Sequence, residues 1–178
     1  MVVRIHVVGA SGAGTSTLGK ALADRLGVAF FDTDDYYWEE KFSVKRAIER
    51  RLEMMERDFM AREDWVLSGA LSNWGTPLEP FFDVVVFLEV PRDVRLERLV
   101  NRERMRYGEA ILPGGSRHQE HLEFVAWASR YEDGDVDVRS KKLHETWFQR
   151  LECPVLRITG DMTVVEEVEL VLTELQSK

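Results

Sequence analysis

Ile5-His6-Val7-Val8-Gly9-Ala10-Ser11-Gly12-Ala13-Gly14-Thr15-Ser16-Thr17 is the stretch whose reading decides the fold of this chain. Ile5, Val7 and Val8 are β-branched, and the run stops at Gly9, which reads as a strand. A turn of glycine, alanine and serine follows. Leu18, Ala21, Leu22, Arg25 and Leu26 then recur at three-to-four spacing, which predicts a helix ended by Gly27. Strand, glycine turn, helix is the opening unit of a parallel sheet, and the rest of the chain repeats the alternation.

Residues 28–31 read as a second strand that ends at an acidic cluster, Asp32 to Asp35. Residues 43–62 read as a highly charged helix with Val44, Ala47, Ile48, Leu52, Met55 and Phe59 on one side. Residues 65–67 form a third strand ending at Ser68-Gly69. Residues 84–88 form a fourth, whose unbroken apolar run predicts burial on both faces. Pro91 opens a helix that passes Leu96 and Leu99 into an arginine-rich stretch near Arg106. Two more helices are predicted at 117–131 and 139–151, a last strand at 154–158 and an amphipathic helix from about 163 to 175. Such alternation predicts parallel strands with right-handed crossovers in a three-layer α/β sandwich. No repeat or linker divides the chain, so residues 1–178 are expected to form one domain.

Composition narrows the function classes. With 178 residues and 44% apolar content, the chain can bury its own core without disulfides or a structural metal. The 24 Lys and Arg against 32 Asp and Glu give a net charge of −8, which argues against a general nucleic-acid binder. Cys153 is the single cysteine, so neither an internal disulfide nor a cysteine zinc site is expected. No apolar stretch is long enough to span a membrane, and the first residues lack the features of a signal peptide. A cytoplasmic protein is expected, one that binds neither nucleic acid nor membrane.

The turn carries the chemistry. Gly9 to Ser16 has the layout GxxxxGK[ST] of a phosphate-binding loop, with Thr15 at the lysine position. Gly9, Gly12 and Gly14 allow the backbone to wrap with N–H groups inward, and the helix beginning near Ser16 points its positive end at an anion. Gly9, Gly12, Ala13, Gly14, Thr15, Ser16 and Thr17 are therefore the expected ATP contacts, with Ser16 placed to give its hydroxyl to Mg²⁺. The plainer alternative is an ordinary strand–turn–helix of small residues. Thr15 removes a point charge from the β- and γ-phosphates, so another cation must supply it or activity must suffer. The arginines after the fourth strand are the candidates; Lys20 reads as an exposed helix lysine.

On these residues the chain resembles the adenylate kinase and shikimate/gluconate kinase group of P-loop small-molecule kinases, over nearly its full length. The resemblance rests on the loop at 9–17, Asp32-Thr33-Asp34, Ser68-Gly69 and the arginine segment 98–106. It implies a five-stranded parallel sheet of order 2-3-1-4-5, acceptor-binding helices at about 36–63 and a lid-like segment at about 102–117. Asp32 would lie near Mg²⁺, and Asp34 would hold the acceptor hydroxyl as its base, a role the chemistry requires. The alternative for this cluster is a solvated acidic loop with Asp capping the next helix. Asp35, Tyr36, Tyr37 and Trp38 could stack on a flat acceptor or belong to the core. Arg98 and Arg102 match two lid-entry arginines that face phosphate, and the four-residue spacing aligns Arg106 with them. Otherwise they belong to a solvated helix with Glu97 and Glu103.

The expected function is ATP-dependent phosphoryl transfer to a small-molecule or nucleotide acceptor. Asp32 and Asp34 favour a hydroxyl compound, and the lid-like arginines favour a monophosphate, for which Arg46, Arg50 and Arg51 could serve. The competing class is a nucleotide-binding regulatory module with little phosphotransfer, motivated by Thr15. An NTPase switch ranks lowest, and exposed helices would permit a homodimer. His118 and His121 read as part of a surface helix, Trp127, Trp147 and Phe148 as core or interface, and Cys153 as a buried thiol.

Overall fold

The computed structural model describes residues 3–176. In chain order the elements are β1 (Arg4–Gly9), α1 (Thr15–Leu26), β2 (Phe30–Asp32), α2 (Thr33–Tyr37), β3 (Trp38–Glu40), β4 (Val44–Lys45) and α3 (Ile48–Met55). They continue with β5 (Trp65–Ser68), β6 (Val84–Glu89), α4 (Arg92–Tyr107), α5 (His118–Ser129), α6 (Lys141–Phe148), β7 (Val155–Thr159) and α7 (Val164–Gln176).

Five strands pair in parallel in the order β2-β5-β1-β6-β7, with β1 at the centre. Counting only those five in chain order gives 2-3-1-4-5, the expected arrangement. Ile5 pairs with Val66 on one side and Val84 on the other. The period-two alternation then divides the core. Ile5, Val7, Val66, Val84 and Val86 face α1 and α7, meeting Leu18, Leu22 and Val171. Val8, Trp65, Leu67, Val85 and Phe87 face an aromatic layer with Met55, Phe59 and Phe148. Each fully buried side chain of this kind contributes about 1.5–3 kcal/mol. Both faces are covered, which is why β6 is apolar from Val84 to Leu88. No helix among the described residues is long and apolar enough to cross a membrane.

Topology fixes where chemistry can occur. Gly9, Asp32 and Ser68 are the last residues of three neighbouring strands, so the segments after β1, β2 and β5 emerge at one edge of the sheet.

Several expectations are corrected. The second strand covers 30–32 rather than 28–31, because the Val28 N–H is spent on Ala23 O at the end of α1. The helix expected over 43–62 begins only at Ile48. Phe42, at φ 67°, reverses the chain into the β3–β4 hairpin, and the Arg46 N–H goes to Tyr37 O at 2.9 Å. Val44 and Ile48 are consequently exposed, although they fit the helical period. From Glu56 to Met60 the helix widens to a π turn, in which Phe59 stacks on Phe31 and meets Trp65 edge-on. Cys153, expected to be buried, is half-buried.

Candidate active site

The glycine turn is held from outside as well as by its own backbone. Ala13 N donates to Ala10 O and Leu18 N to Gly14 O, both at 3.0 Å. Gly12 has φ 85°, and a Cβ built there would stand 2.2 Å from Arg95 O, so this position requires glycine twice over. Arg95, in the first turn of α4, has no exposed surface. Its guanidinium is bonded by Glu132 at 2.5–3.0 Å, and it donates to Ala128 O at 2.9 Å and Ser11 O at 3.4 Å. Two Arg95–Glu132 contacts in parallel fix the arginine in orientation as well as in charge. On the other side, Ser68 Oγ donates to Thr15 O at 2.8 Å, tying β5 to the first residue of α1.

The acidic segment is folded rather than loose. Asp32 caps α2, accepting the Asp34 N–H on Oδ1 at 3.0 Å, while its Oδ2 accepts the Ser16 hydroxyl at 2.6 Å. Asp32 therefore serves as a cap and also joins the loop. A hydroxyl and a carboxylate in contact at a helix N-terminus make an all-oxygen donor pair, which suits Mg²⁺. Among the described residues no cluster of three or more His, Cys, Asp and Glu could cage a metal. A cation on Ser16 and Asp32 would thus draw its other oxygens from phosphates and water. Asp34 faces the same space. Burial, and then the charge of Asp32, push its carboxyl above the usual range, against the pull of Arg139, Lys41 and Arg102.

Three adjoining cavities surround this point. The central one, about 260 Å³, is lined by the loop, Asp32, Asp34, Gly69 and Arg102. A second, about 530 Å³, lies over Gly12 to Gly14 and Thr17, beside Arg98 and the segment Asp161 to Val164. A third, about 390 Å³, lies between the hairpin and the turn after α4 and holds Arg106, Tyr107 and Arg117. Arg102 borders all three. Arg98 pairs with Asp161 and reaches Ala13 O at 3.5 Å. Arg106 lies over the Phe42 ring at 4.6 Å. The three arginines share a helix face, yet Arg98 borders the cavity beside Asp161, Arg106 the one beneath the turn after α4, and Arg102 all three. Lys20 is exposed on α1.

The aromatic segment divides as well. Tyr36 is buried with its hydroxyl directed at Asp58, Tyr37 lies 4.0 Å beneath the Arg51 guanidinium, and Trp38 lines the central cavity. Arg51 is buried between Tyr37 and Trp74, and Arg46 bonds the carbonyls of Asp35 and Tyr36, so neither arginine is presented to a ligand. Trp127, read as core or interface, lines the central cavity together with Phe124. Arg139, which sequence reasoning passed over, reaches Gly9 O and borders the same cavity as Asp34. It lies between Val138 and Ser140, with no motif around it to single it out.

Residues 5–121 match the AAA domain family. A Bacillus subtilis protein called YqaC is 50% identical over 177 residues, 99% of each chain. A shikimate kinase of Gloeobacter violaceus is 30% identical over 178 residues, 89% of this chain and 96% of that protein. Among solved structures, a shikimate kinase from Acinetobacter baumannii in complex with shikimate superposes with a TM-score of 0.57 at 19% identity, covering 99% of this chain and 94% of that one. Sheet order and sequence match agree, and the chain belongs to the P-loop small-molecule kinases.

Proposed function

We propose that the protein transfers the γ-phosphoryl group of Mg·ATP to a hydroxyl of a small acceptor held against Asp34. One observation carries this reading: the phosphate loop and the Asp34 carboxyl open into the same cavity. A bound Mg²⁺ would be held by Ser16 and Asp32 and would offset charge on the phosphates. The N–H groups at the start of α1 bind the phosphate chain. Asp34 orients the acceptor and takes its proton as the hydroxyl oxygen forms the new P–O bond; the bond to the β–γ bridging oxygen breaks and ADP leaves. An elevated carboxyl pKa makes Asp34 a better base near neutral pH. Arg102, at the junction of the cavities, is placed to stabilise charge moving between donor and acceptor. The larger cavity beside Arg98 and Asp161 has room for the nucleoside of ATP.

The relative named shikimate kinase supports a hydroxyl acceptor. A monophosphate acceptor is favoured by a separate observation: Arg102, Arg106 and Arg117 converge with Trp38, Phe42 and Phe124 on the cavity beneath the turn after α4. The deciding experiment is transfer of labelled γ-phosphate to nucleosides, nucleoside monophosphates, sugar acids and cyclic polyols. Asp34→Asn serves as the paired control. Transfer to one class, reduced at least 100-fold in the variant, is expected. If wild type transfers to none of them while ATP still raises its melting temperature, the protein is a nucleotide-binding module and the proposal fails.

A further inference from the structure

Thr15 leaves the loop without the ammonium group that the pattern places there, yet a triphosphate needs a cation at its terminal oxygens. Arg98 is engaged by Asp161, and Arg106 is folded over Phe42. Arg139 differs from both. It comes from the connector between α5 and α6, donates from Nη2 to Gly9 O and reaches Ser11 Oγ from Nη1 at 3.5 Å. Its Nε is buried without a hydrogen-bond partner, and among the described residues no carboxylate forms an ion pair with it. A half-buried guanidinium with an orphaned Nε and no ion-paired carboxylate is costly unless an anion completes its contacts.

The side chain at position 15 points to the same place. A Cβ on Gly9 would meet the Thr15 methyl at 3.3 Å, so the side chain at position 15 abuts Gly9, whose carbonyl accepts from Arg139. Arg139, the loop and Asp34 also border one cavity, the space a transferred phosphoryl group must occupy.

We infer that Arg139 replaces the missing loop lysine: its guanidinium binds the terminal phosphoryl group of a nucleoside triphosphate at the Gly9–Ser11 edge of the loop. This rests on the phosphotransfer reading above. A planar guanidinium can hold two phosphate oxygens together.

The test is calorimetric titration of wild type, Arg139→Met, Thr15→Lys and the double variant with Mg·ADP and a non-hydrolysable Mg·ATP analogue. Arg139→Met is expected to weaken the triphosphate analogue at least tenfold and ADP less than threefold. Thr15→Lys is expected to strengthen analogue binding at least fivefold more in the Arg139→Met background than in wild type. Equal gains in both backgrounds, or unchanged analogue affinity in Arg139→Met, overturn the inference while leaving the kinase reading intact. Wild type that binds neither nucleotide overturns both. Should Arg139→Met fail to fold by circular dichroism, Arg139→Lys replaces it, with a threefold to tenfold loss expected for the analogue and the same non-additivity with Thr15→Lys required.

Discussion

Replacing Gly19 with alanine tests how the phosphate loop is seated on the sheet. In a helix interior this change ordinarily stabilises by about 0.5–1 kcal/mol, because glycine loses more backbone freedom on folding. Here the added methyl would stand 2.0 Å from Ser68 Oγ and 2.9 Å from the Phe30 ring. Ser68 cannot yield freely, since its hydroxyl is donated to Thr15 O at 2.8 Å. Rotating it away gives up that bond, about 1 kcal/mol, and displacing a packed ring costs about 1–3 kcal/mol. The net expectation for Gly19→Ala is a loss of about 1–3.5 kcal/mol, a drop of about 2–14 °C in melting temperature at this chain length. The partner variant Ser68→Ala costs about 1 kcal/mol by itself. In Gly19→Ala/Ser68→Ala the hydroxyl is already gone, so the losses should fall short of additive by about 1 kcal/mol. Urea unfolding of the four proteins measures this. A stabilised Gly19→Ala, or losses additive within 0.3 kcal/mol, would refute the claim that close helix–strand contact sets the loop's seat.

The raised Asp34 pKa places the acid limb of kcat/KM above the ordinary carboxylate range, with activity falling as pH drops and Asp34 gains its proton; a limb at about pH 4 would show that another group is titrating. Burial lowers the His6 pKa to about 4, below the unfolded value, so neutral His6 contributes stability above about pH 6.5 that is lost as pH falls toward 4. His6→Leu should therefore lessen the drop in unfolding free energy between pH 7 and 4.5 by about 2–3 kcal/mol, and an unaltered drop counts against that pKa. Glu132→Gln removes the counter-charge of fully buried Arg95 and should cost about 1–3 kcal/mol in urea, the low end reflecting a carboxylate whose side chain is 30% exposed. Because Arg95 braces Gly12, Mg·ADP should bind this variant more weakly in calorimetry, and unchanged affinity would separate the brace from the loop.

Where local physics dominates, the sequence is a reliable guide. Val7 and Val8 before Gly9, or the apolar run of β6, can satisfy their side chains in only one kind of environment, so the parallel sheet was legible. Residues 43–47 show the opposite case. Val44 and Ile48 fit a helical period, but Phe42 in the left-handed region and the Arg46 bond to Tyr37 O commit the segment to a hairpin. The site divides along the same line. Gly12, Ser16 and Asp34 sit in short patterns tied to a strand end, so they could be named in advance. The division of labour among Arg98, Arg102 and Arg106 depends on Asp161 and Phe42, residues far away in sequence, and helix spacing does not carry that information. Arg139 lies in no pattern, and only the folded connector brings it to Gly9.

Supplying the cation from a distant connector changes what nucleotide binding depends on. A lysine within the loop arrives whenever the loop forms. Arg139 arrives only when the connector is docked, and several contacts dock it. Lys141 N bonds Tyr131 O at 2.8 Å, Ser140 Oγ bonds Asp135 O at 2.8 Å while capping α6, and Glu132 grips Arg95. Arg95 in turn packs its carbonyl against Gly12 and donates to Ser11 O. The shape of the loop and the charge placed beside it are therefore joined through the Arg95–Glu132 pair. A triphosphate that draws on Arg139 stabilises the docked connector by the same free energy that docking contributes to its binding. Nucleotide should accordingly slow amide exchange across residues 131–140 as well as in the loop. Protection confined to residues 9–18 would mean that the connector takes no part in holding phosphate.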